Sequence, residues 1–238
     1  MSRAEPLVFL NGEIRPAAEA RVGVDDRGFL LGHGAFETMR VCDGRLRRWA
    51  QHRQRLEGGL EHLGIDRPAR LDGIVDAASQ MARRLSIADG SARLTVTAGE
   101  GGGGLEGRAG AAPHLVLTLK PRPAPPSSVS VALLDHPRRA GSPGERFKLS
   151  GYGELIAARR EARALGADRA VVTGAGGALA CVDCANLFWI EGGDVFTPAL
   201  STGALPGVTR AALIAAAGAE GVKVHETNAG AEALERAE

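Results

Sequence analysis

The stretch Leu205-Pro206-Gly207-Val208-Thr209-Arg210 runs directly into Ala211-Ala212-Leu213-Ile214-Ala215-Ala216-Ala217. Pro206-Gly207 interrupts whatever precedes it, and the alanine-rich residues from Thr209 to Ala217 read as a helix. A helix start carries backbone N–H groups with no intrahelical partner and the positive end of the helix dipole. Gly207 lets another group come close to the backbone. The N–H groups of Val208 and Thr209 would point outward, and the Thr209 hydroxyl adds a donor. These features make a phosphate cradle; the alternative on these residues alone is an ordinary helix start.

Upstream, strands and helices alternate. Leu7-Val8-Phe9-Leu10 reads as a strand ending in the turn signal Asn11-Gly12. Met39-Arg40-Val41-Cys42 is a strand that meets a second one, Asp43-Gly44. Leu56, Leu60 and Leu63 fall on one side of a helix from Trp49 to Leu63, stopped by Gly64. Leu71 to Leu85 is the next helix, and Ala92–Thr97 and Leu115–Leu119 are strands. Pro121, Pro123, Pro125 and Pro126 then form a stiff run that no helix or central strand accommodates. It divides a domain over 1–120 from one over 128–238, with 121–127 as linker. In the second half, Val129–Leu134, Ala170–Thr173, Leu187–Ile190 and Val195–Phe196 are expected strands. Tyr152–Leu165 and Thr209–Ala217 are expected helices. Mixed α and β elements in both halves indicate an α+β fold of two domains.

Composition removes several classes of function. With 44% hydrophobic residues the chain can build cores. Its 29 Lys and Arg balance 28 Asp and Glu, which gives no reason to expect nucleic acid or an acidic membrane as partner. No apolar run approaches the length of a membrane span, and the N-terminus has no signal-peptide pattern. Cys42, Cys181 and Cys184 are too few for a disulfide framework, and a reduced cytoplasm is their natural setting. Cys181-Val182-Asp183-Cys184 has metal-like spacing but no second pair and no nearby histidine, so no metal is expected.

Three further features carry chemistry. Lysine is scarce, and one of the three, Lys148, lies in Phe147-Lys148-Leu149-Ser150-Gly151-Tyr152, just ahead of a helix. A lysine in an apolar, partly buried place gives up its charge more readily and becomes a nucleophile toward an aldehyde. By composition alone a solvated surface group is the commoner reading of such a lysine. Arg55, in His52-Arg53-Gln54-Arg55-Leu56, lies one helical turn from His52 and could pair with phosphate oxygens, or simply face solvent. Gly99-Glu100-Gly101-Gly102-Gly103-Gly104-Leu105-Glu106-Gly107 lacks the Lys-Ser/Thr of a nucleotide loop and carries two acids. It reads as a mobile lid or a rim.

Taken in order, the motifs resemble the class IV aminotransferase family, the pyridoxal-phosphate (PLP) enzymes of fold type IV. They are Asp26-Arg27-Gly28-Phe29, Gly32-His33-Gly34-Ala35-Phe36-Glu37-Thr38, His52-Arg53-Gln54-Arg55-Leu56, Lys148 with Tyr152, Glu161-Ala162, Asn186-Leu187-Phe188, Thr197-Pro198 and Leu205 to Arg210. The resemblance implies a D-amino-acid aminotransferase-like fold, with a small α/β N-terminal domain and a larger barrel-like C-terminal domain. It implies a homodimer whose active site lies between the domains, with a neighbouring subunit at its rim. Lys148 is similar to the lysine that holds PLP as a Schiff base and moves the substrate proton. Arg55 resembles the phosphate-binding arginine, and Val208 and Thr209 the phosphate cradle. Leu205 is similar to the residue packed on the pyridine ring, and Tyr152 to one at the cofactor edge. Phe36 and Thr38 resemble positions that shape the substrate side.

The chain departs from the family pattern in several places. The family's glutamate for the pyridine nitrogen falls five residues before the asparagine of Asn-Leu-Phe, where this chain has Cys181. A thiol is a poor substitute, and Asp183 shares a face with Cys181 if the segment is extended. Ala98 stands where relatives carry an arginine for substrate carboxylates; Arg108 is the candidate to replace it. His33 stands where aspartate is usual. Relatives continue past Glu238 with a strand and a Thr/Ser-containing phosphate loop, so the C-terminal domain reads as shortened. Within the family, the sequence around Cys184-Ala185-Asn186-Leu187-Phe188-Trp189 leans toward aminodeoxychorismate lyase. That enzyme eliminates pyruvate from 4-amino-4-deoxychorismate and releases 4-aminobenzoate for folate synthesis. The alternatives are transamination of branched-chain or D-amino acids with a 2-oxo acid acceptor, and a diverged member with weak or no activity.

Overall fold

The computed structural model describes residues 5–106, 111–138 and 140–238. The chain divides into two compact units, Met1–Ala124 with Lys148–Gly151, and Pro125–Phe147 with Tyr152–Glu238.

The first unit is built on one antiparallel sheet. Its strands are β1 (Leu7–Leu10), β2 (Glu13–Pro16), β3 (Gly34–Cys42), β4 (Arg45–Leu46), β5 (Asp89–Thr97) and β6 (His114–Pro121), in the order β2-β1-β6-β5-β3-β4. The turns that set its register are the two read from sequence. Asn11 and Gly12 have φ of 52° and 109°, and Asp43 and Gly44 have 50° and 70°, the left-handed geometry that suits the twist of a tight hairpin. The helices are α1 (Arg27–Leu31), α2 (Trp49–His62) and α3 (Ile74–Arg84). α2 buries His52, Leu56, Gly59 and Leu60, a stripe of helical period, and α3 buries Ile74, Ala77, Ala78, Met81 and Ala82. These stripes pack with Met39, Val41, Leu94, Val96, Leu115 and Leu117 of the sheet into one core. Leu56 is 1% exposed, so Leu56→Ala would cost about 2–5 kcal/mol. The other face of β5 alternates away from this core, with Arg93 exposed and Thr95 and Thr97 half-buried.

Lys148–Gly151 joins this unit as an extra stretch against β3. Phe36 N–H donates to the Lys148 carbonyl and Ser150 N–H to the Gly34 carbonyl, both at 2.9 Å. Ala35 and Leu149 form an antiparallel bridge. From sequence, Lys148 was expected with the C-terminal elements; backbone pairing groups it with the N-terminal sheet.

The second unit holds two three-stranded sheets. One is β7 (Val131–Leu134), β8 (Arg169–Thr173) and β9 (Leu179–Val182), with α4 (Gly153–Ala164) preceding β8. The other is β10 (Trp189–Glu191), β11 (Asp194–Pro198) and β12 (Val224–Thr227). β11 and β12 are parallel, and the crossover between them is α5 (Val208–Ala219). Helix α6 (Glu232–Glu235) places Ala233 against Val171, Leu179 and Trp189. Cys181 packs with Leu134, Ala158, Ala162, Ala170 and Val172 in a separate small core under α4. Among the described residues, no helix is long and apolar enough to cross a membrane.

Candidate functional site

In the first unit, the Ala35–Leu149 bridge fixes which side chains face which way. Leu149 packs against the core, so its neighbour Lys148 points to the opposite face, as Phe36 does from β3. Lys148 Nζ lies 4.7 Å from the Phe36 ring centroid. The guanidinium carbon of Arg93 lies 3.6 Å from the same centroid. Thr38 is directly opposite Arg93 in the register of β3 and β5. The sheet therefore brings Lys148, Phe36, Thr38 and Arg93 to one face. Arg93 was not singled out from sequence. Its signal was there in the alternation of β5, which buries Ala92, Leu94 and Val96 and turns Arg93 outward.

Arg55 behaves differently. From α2 it reaches Glu37, a β3 residue whose side chain is fully buried. Arg55 Nε donates to Oε1 and Nη2 to Oε2, each at 2.7 Å. His52 Nδ1 lies 2.6 Å from Glu37 Oε2. Burial pushes the Glu37 carboxyl upward, but the hydrogen bonds from Arg55 and His52 outweigh it and hold the group below its ordinary range. Glu37 thus remains an anion inside the unit, compensated by the arginine beside it.

The glycine-rich segment is tied down along its described part. Arg27, 5% exposed, donates from Nη1 to the carbonyls of Gly102 and Gly104 at 3.0 and 2.5 Å, and from Nη2 to Leu105 at 3.1 Å. Its Nε donates to His33 Nδ1 at 3.1 Å, while His33 Nε2 lies 2.9 Å from the Leu63 carbonyl. This pattern assigns the His33 proton to Nε2. Arg27 N–H also bonds the Gly99 carbonyl. Of the two sequence expectations, lid or rim, a strapped rim matches these bonds. Arg108, the expected substrate-side residue, lies outside the described residues.

In the second unit, α5 begins at Gly207, with φ −69° and ψ 135° and no side chain capping the helix. The first N–H groups belong to Val208, which is buried, and Thr209, which is exposed. Asn186 crowds this start: a β-carbon on Gly207 would lie 1.9 Å from Asn186 Oδ1. Asn186 Nδ2 in turn donates to the Leu205 carbonyl at 2.8 Å. Arg210, 5% exposed, anchors the first turn through the Pro198 carbonyl at 3.0 Å and Glu226 at 2.6 Å. Leu205 is half-buried ahead of the helix, and Tyr152 is half-buried at the start of α4.

Cys181 is 5% exposed among apolar neighbours. Asp183, two residues on, also turns toward α4 and is 4% exposed. Its carboxylate is committed to Arg159, whose Nε and Nη2 both donate to it, and to Ala170 N–H at 3.1 Å. Burial raises the Asp183 carboxyl, and the Arg159 bonds overcome that and hold it low. Burial pushes the Cys184 thiol up, so it stays protonated.

Comparison with known proteins gives a consistent result. The family profile for amino-transferase class IV matches residues 34–238. The chain is 30% identical over 218 residues to aminodeoxychorismate lyase of Bacillus subtilis, covering 87% of this chain and 72% of that one. It is 29% identical over 224 residues to a putative branched-chain-amino-acid aminotransferase of Methanocaldococcus jannaschii, covering 92% and 77%. The solved branched-chain amino acid aminotransferase of Escherichia coli superposes with a TM-score of 0.91 over 98% of this chain and 81% of that one, at 24% identity, a likeness of fold.

Proposed function

The chain belongs to the class IV aminotransferase family and is an enzyme that uses pyridoxal 5′-phosphate; from that premise we propose that it converts 4-amino-4-deoxychorismate to 4-aminobenzoate and pyruvate, with Lys148 as its catalytic amine. The observation that carries this reading is the position of Lys148. Its backbone is pinned to β3 and its amine shares a face with Phe36, Thr38 and Arg93.

The residues fit the cofactor at two points. A helix start without a side-chain cap leaves its first backbone N–H groups to a phosphate. A half-buried lysine on a stretch paired to β3 suits the aldehyde. Val208 and Thr209 would offer the phosphate their backbone N–H groups, and Arg55 is proposed as a phosphate-binding arginine. Leu205 and Tyr152 would bound the ring, and Cys181 would stand at the ring nitrogen. When bound, the cofactor supplies an electron-withdrawing ring conjugated to the substrate amine.

Lys148 would take the proton from the substrate carbon that bears the amine. The C–O bond of the enolpyruvyl ether on the neighbouring carbon then breaks, the carbocycle becomes aromatic with the amine retained, and the departing enolate takes up a proton to become pyruvate. Arg93 offers a cation to a substrate carboxylate, held by its stacking on Phe36. Thr38 offers a hydroxyl beside it, and Arg108 is proposed at the rim. The reading extends to a homodimer, a cytoplasmic setting and a role in folate biosynthesis.

Transamination is the second reading, supported by the similarity to the branched-chain enzyme over 92% of this chain. The test has two stages. Purified protein with PLP should show a visible absorbance band that borohydride shifts and Lys148→Ala removes; no band in the wild type at saturating PLP would end the enzyme reading. With the band present, 4-aminobenzoate released without any 2-oxo acid supports the lyase. Turnover of branched-chain amino acids or D-alanine that requires a 2-oxo acid would replace it with transamination.

A further inference from the structure

Glu37 is not among the residues expected to act, yet it is a fully buried acid on a strand face otherwise made of apolar core residues. Ala35, Met39 and Val41 share its face of β3, each 1% exposed or less. Burying a carboxylate there is costly unless it is fully paired. Its partners are one turn apart on α2, Arg55 and His52.

We propose that Glu37 is a positioning residue for the cofactor phosphate: it locks the Arg55 guanidinium in the orientation that receives the phosphate. This rests on the reading of Arg55 as a phosphate ligand. A guanidinium is a planar fork whose donors leave in fixed directions. Glu37 takes the edge formed by Nε and Nη2, and those two bonds fix the plane of the guanidinium. His52, at 2.6 Å from Oε2, fixes the carboxylate in its turn. A long, flexible side chain is thereby ordered during folding rather than at binding, which is the physical content of preorganisation.

The charge of Glu37 works against the phosphate, since it neutralises Arg55 from behind. That opposition makes the proposal testable by sign. If orientation dominates, removing the carboxylate weakens phosphate recognition. If charge dominates, removing it strengthens phosphate recognition.

The experiment compares equilibrium binding of PLP and of pyridoxal, which lacks the phosphate, read by the visible absorbance of the lysine-bound cofactor. The measured quantity is the ratio of the two dissociation constants. Glu37→Gln is expected to lower the preference for PLP by about tenfold, the scale of one charge-assisted hydrogen bond, with pyridoxal binding little changed. In an Arg55→Lys background the same change should have little further effect on this ratio, because Glu37 bears on the phosphate through Arg55. An equal loss for both ligands would mark a general structural role, and an unchanged or increased preference for PLP would mean that Glu37 does not position the arginine; each outcome overturns the inference. If Glu37→Gln does not fold, Glu37→Asp keeps the charge but retracts it by one methylene, and the same fall in preference is expected. Arg55→Lys separates the two levels. If it lowers the preference and neither Glu37 variant does, only the positioning role fails. If Arg55→Lys leaves the preference intact, the phosphate reading of Arg55 fails as well.

Discussion

Gly207→Ala isolates the crowding at the start of α5. The native φ of −69° and ψ of 135° suit alanine, so the substitution adds no backbone strain. What it adds is a methyl 1.9 Å from Asn186 Oδ1 and 3.0 Å from Asn186 Cγ. Asn186 must rotate, and its 2.8 Å bond to the Leu205 carbonyl goes with it. Losing that bond and leaving the carbonyl poorly satisfied costs about 1–3 kcal/mol. The lower N-cap preference of alanine and its smaller unfolded-state entropy are each below about 1 kcal/mol and oppose one another. A net loss of about 2 kcal/mol is expected. Trp189, 6% exposed beside Phe196, reports on this unit, and Trp49→Phe removes the other indole. In that background, urea unfolding followed by Trp189 fluorescence should shift its midpoint down without a change in slope. Asn186→Ala removes the atoms that the new methyl would strike. The double variant should therefore be no less stable than Asn186→Ala alone. If Gly207→Ala costs the same about 2 kcal/mol with Asn186 already truncated, the crowding described here is not the cause.

Two other outcomes follow from the buried ion pairs. Asp183→Asn leaves Arg159 without its anion in a site where the acid is 4% exposed; because Arg159 is itself about a third exposed, the expected loss is about 2–3 kcal/mol, read by the same Trp189 transition. Glu37 titrates lower in the folded chain than its ordinary value of 4.5, so its contribution is present above that value and is lost as pH falls through the lowered folded one. Acid titration of stability from pH 6 downward should be less steep in Glu37→Gln than in the wild type, and an identical acid limb would show that Glu37 is not held as an anion.

Much of the framework was legible because local rules decide it. Asn11-Gly12 and Asp43-Gly44 sit at left-handed turns, and Leu56 and Leu60 mark the buried stripe of α2. β9 and β12 were not marked out as strands, since each is four residues long and their neighbours are glycine-rich or polar. The pairing of Lys148–Gly151 with β3 was not legible either, because it joins residues more than a hundred positions apart and leaves no local pattern. Glu37 could have been found. On a strand that reads Ala35, Glu37, Met39, Val41 on one face, an acid among core residues requires a cation, and the arginine-rich start of the next helix supplies it. The Arg27 strap had no such signal, because its acceptors are backbone carbonyls, which any sequence provides.

The state of Asp183 bears on the chemistry proposed for this chain. On that reading, Cys181 stands where relatives place the glutamate that protonates the ring nitrogen, and Asp183 is the nearby acid that could replace it. Moving Asp183 away would break both Arg159 bonds and strip the N–H of Ala170, a fully buried residue, of its acceptor. An unsatisfied buried donor costs about 1–3 kcal/mol, and a separated ion pair costs more. One new hydrogen bond to the ring returns about 1.5–3 kcal/mol, so Asp183 stays with Arg159. On the proposed placement of Cys181, the ring would then meet a thiol, a weak donor and weak acceptor, and would draw in electrons less strongly. Transamination would depend heavily on that capacity, because it has no leaving group on the substrate to accept the electrons. Elimination depends on it less, because a leaving group on the neighbouring carbon takes the electrons away and aromatisation of the product drives the step. If Cys181 takes the place proposed for it, this departure from the family pattern would weaken transamination more than elimination, in line with the lyase reading proposed above.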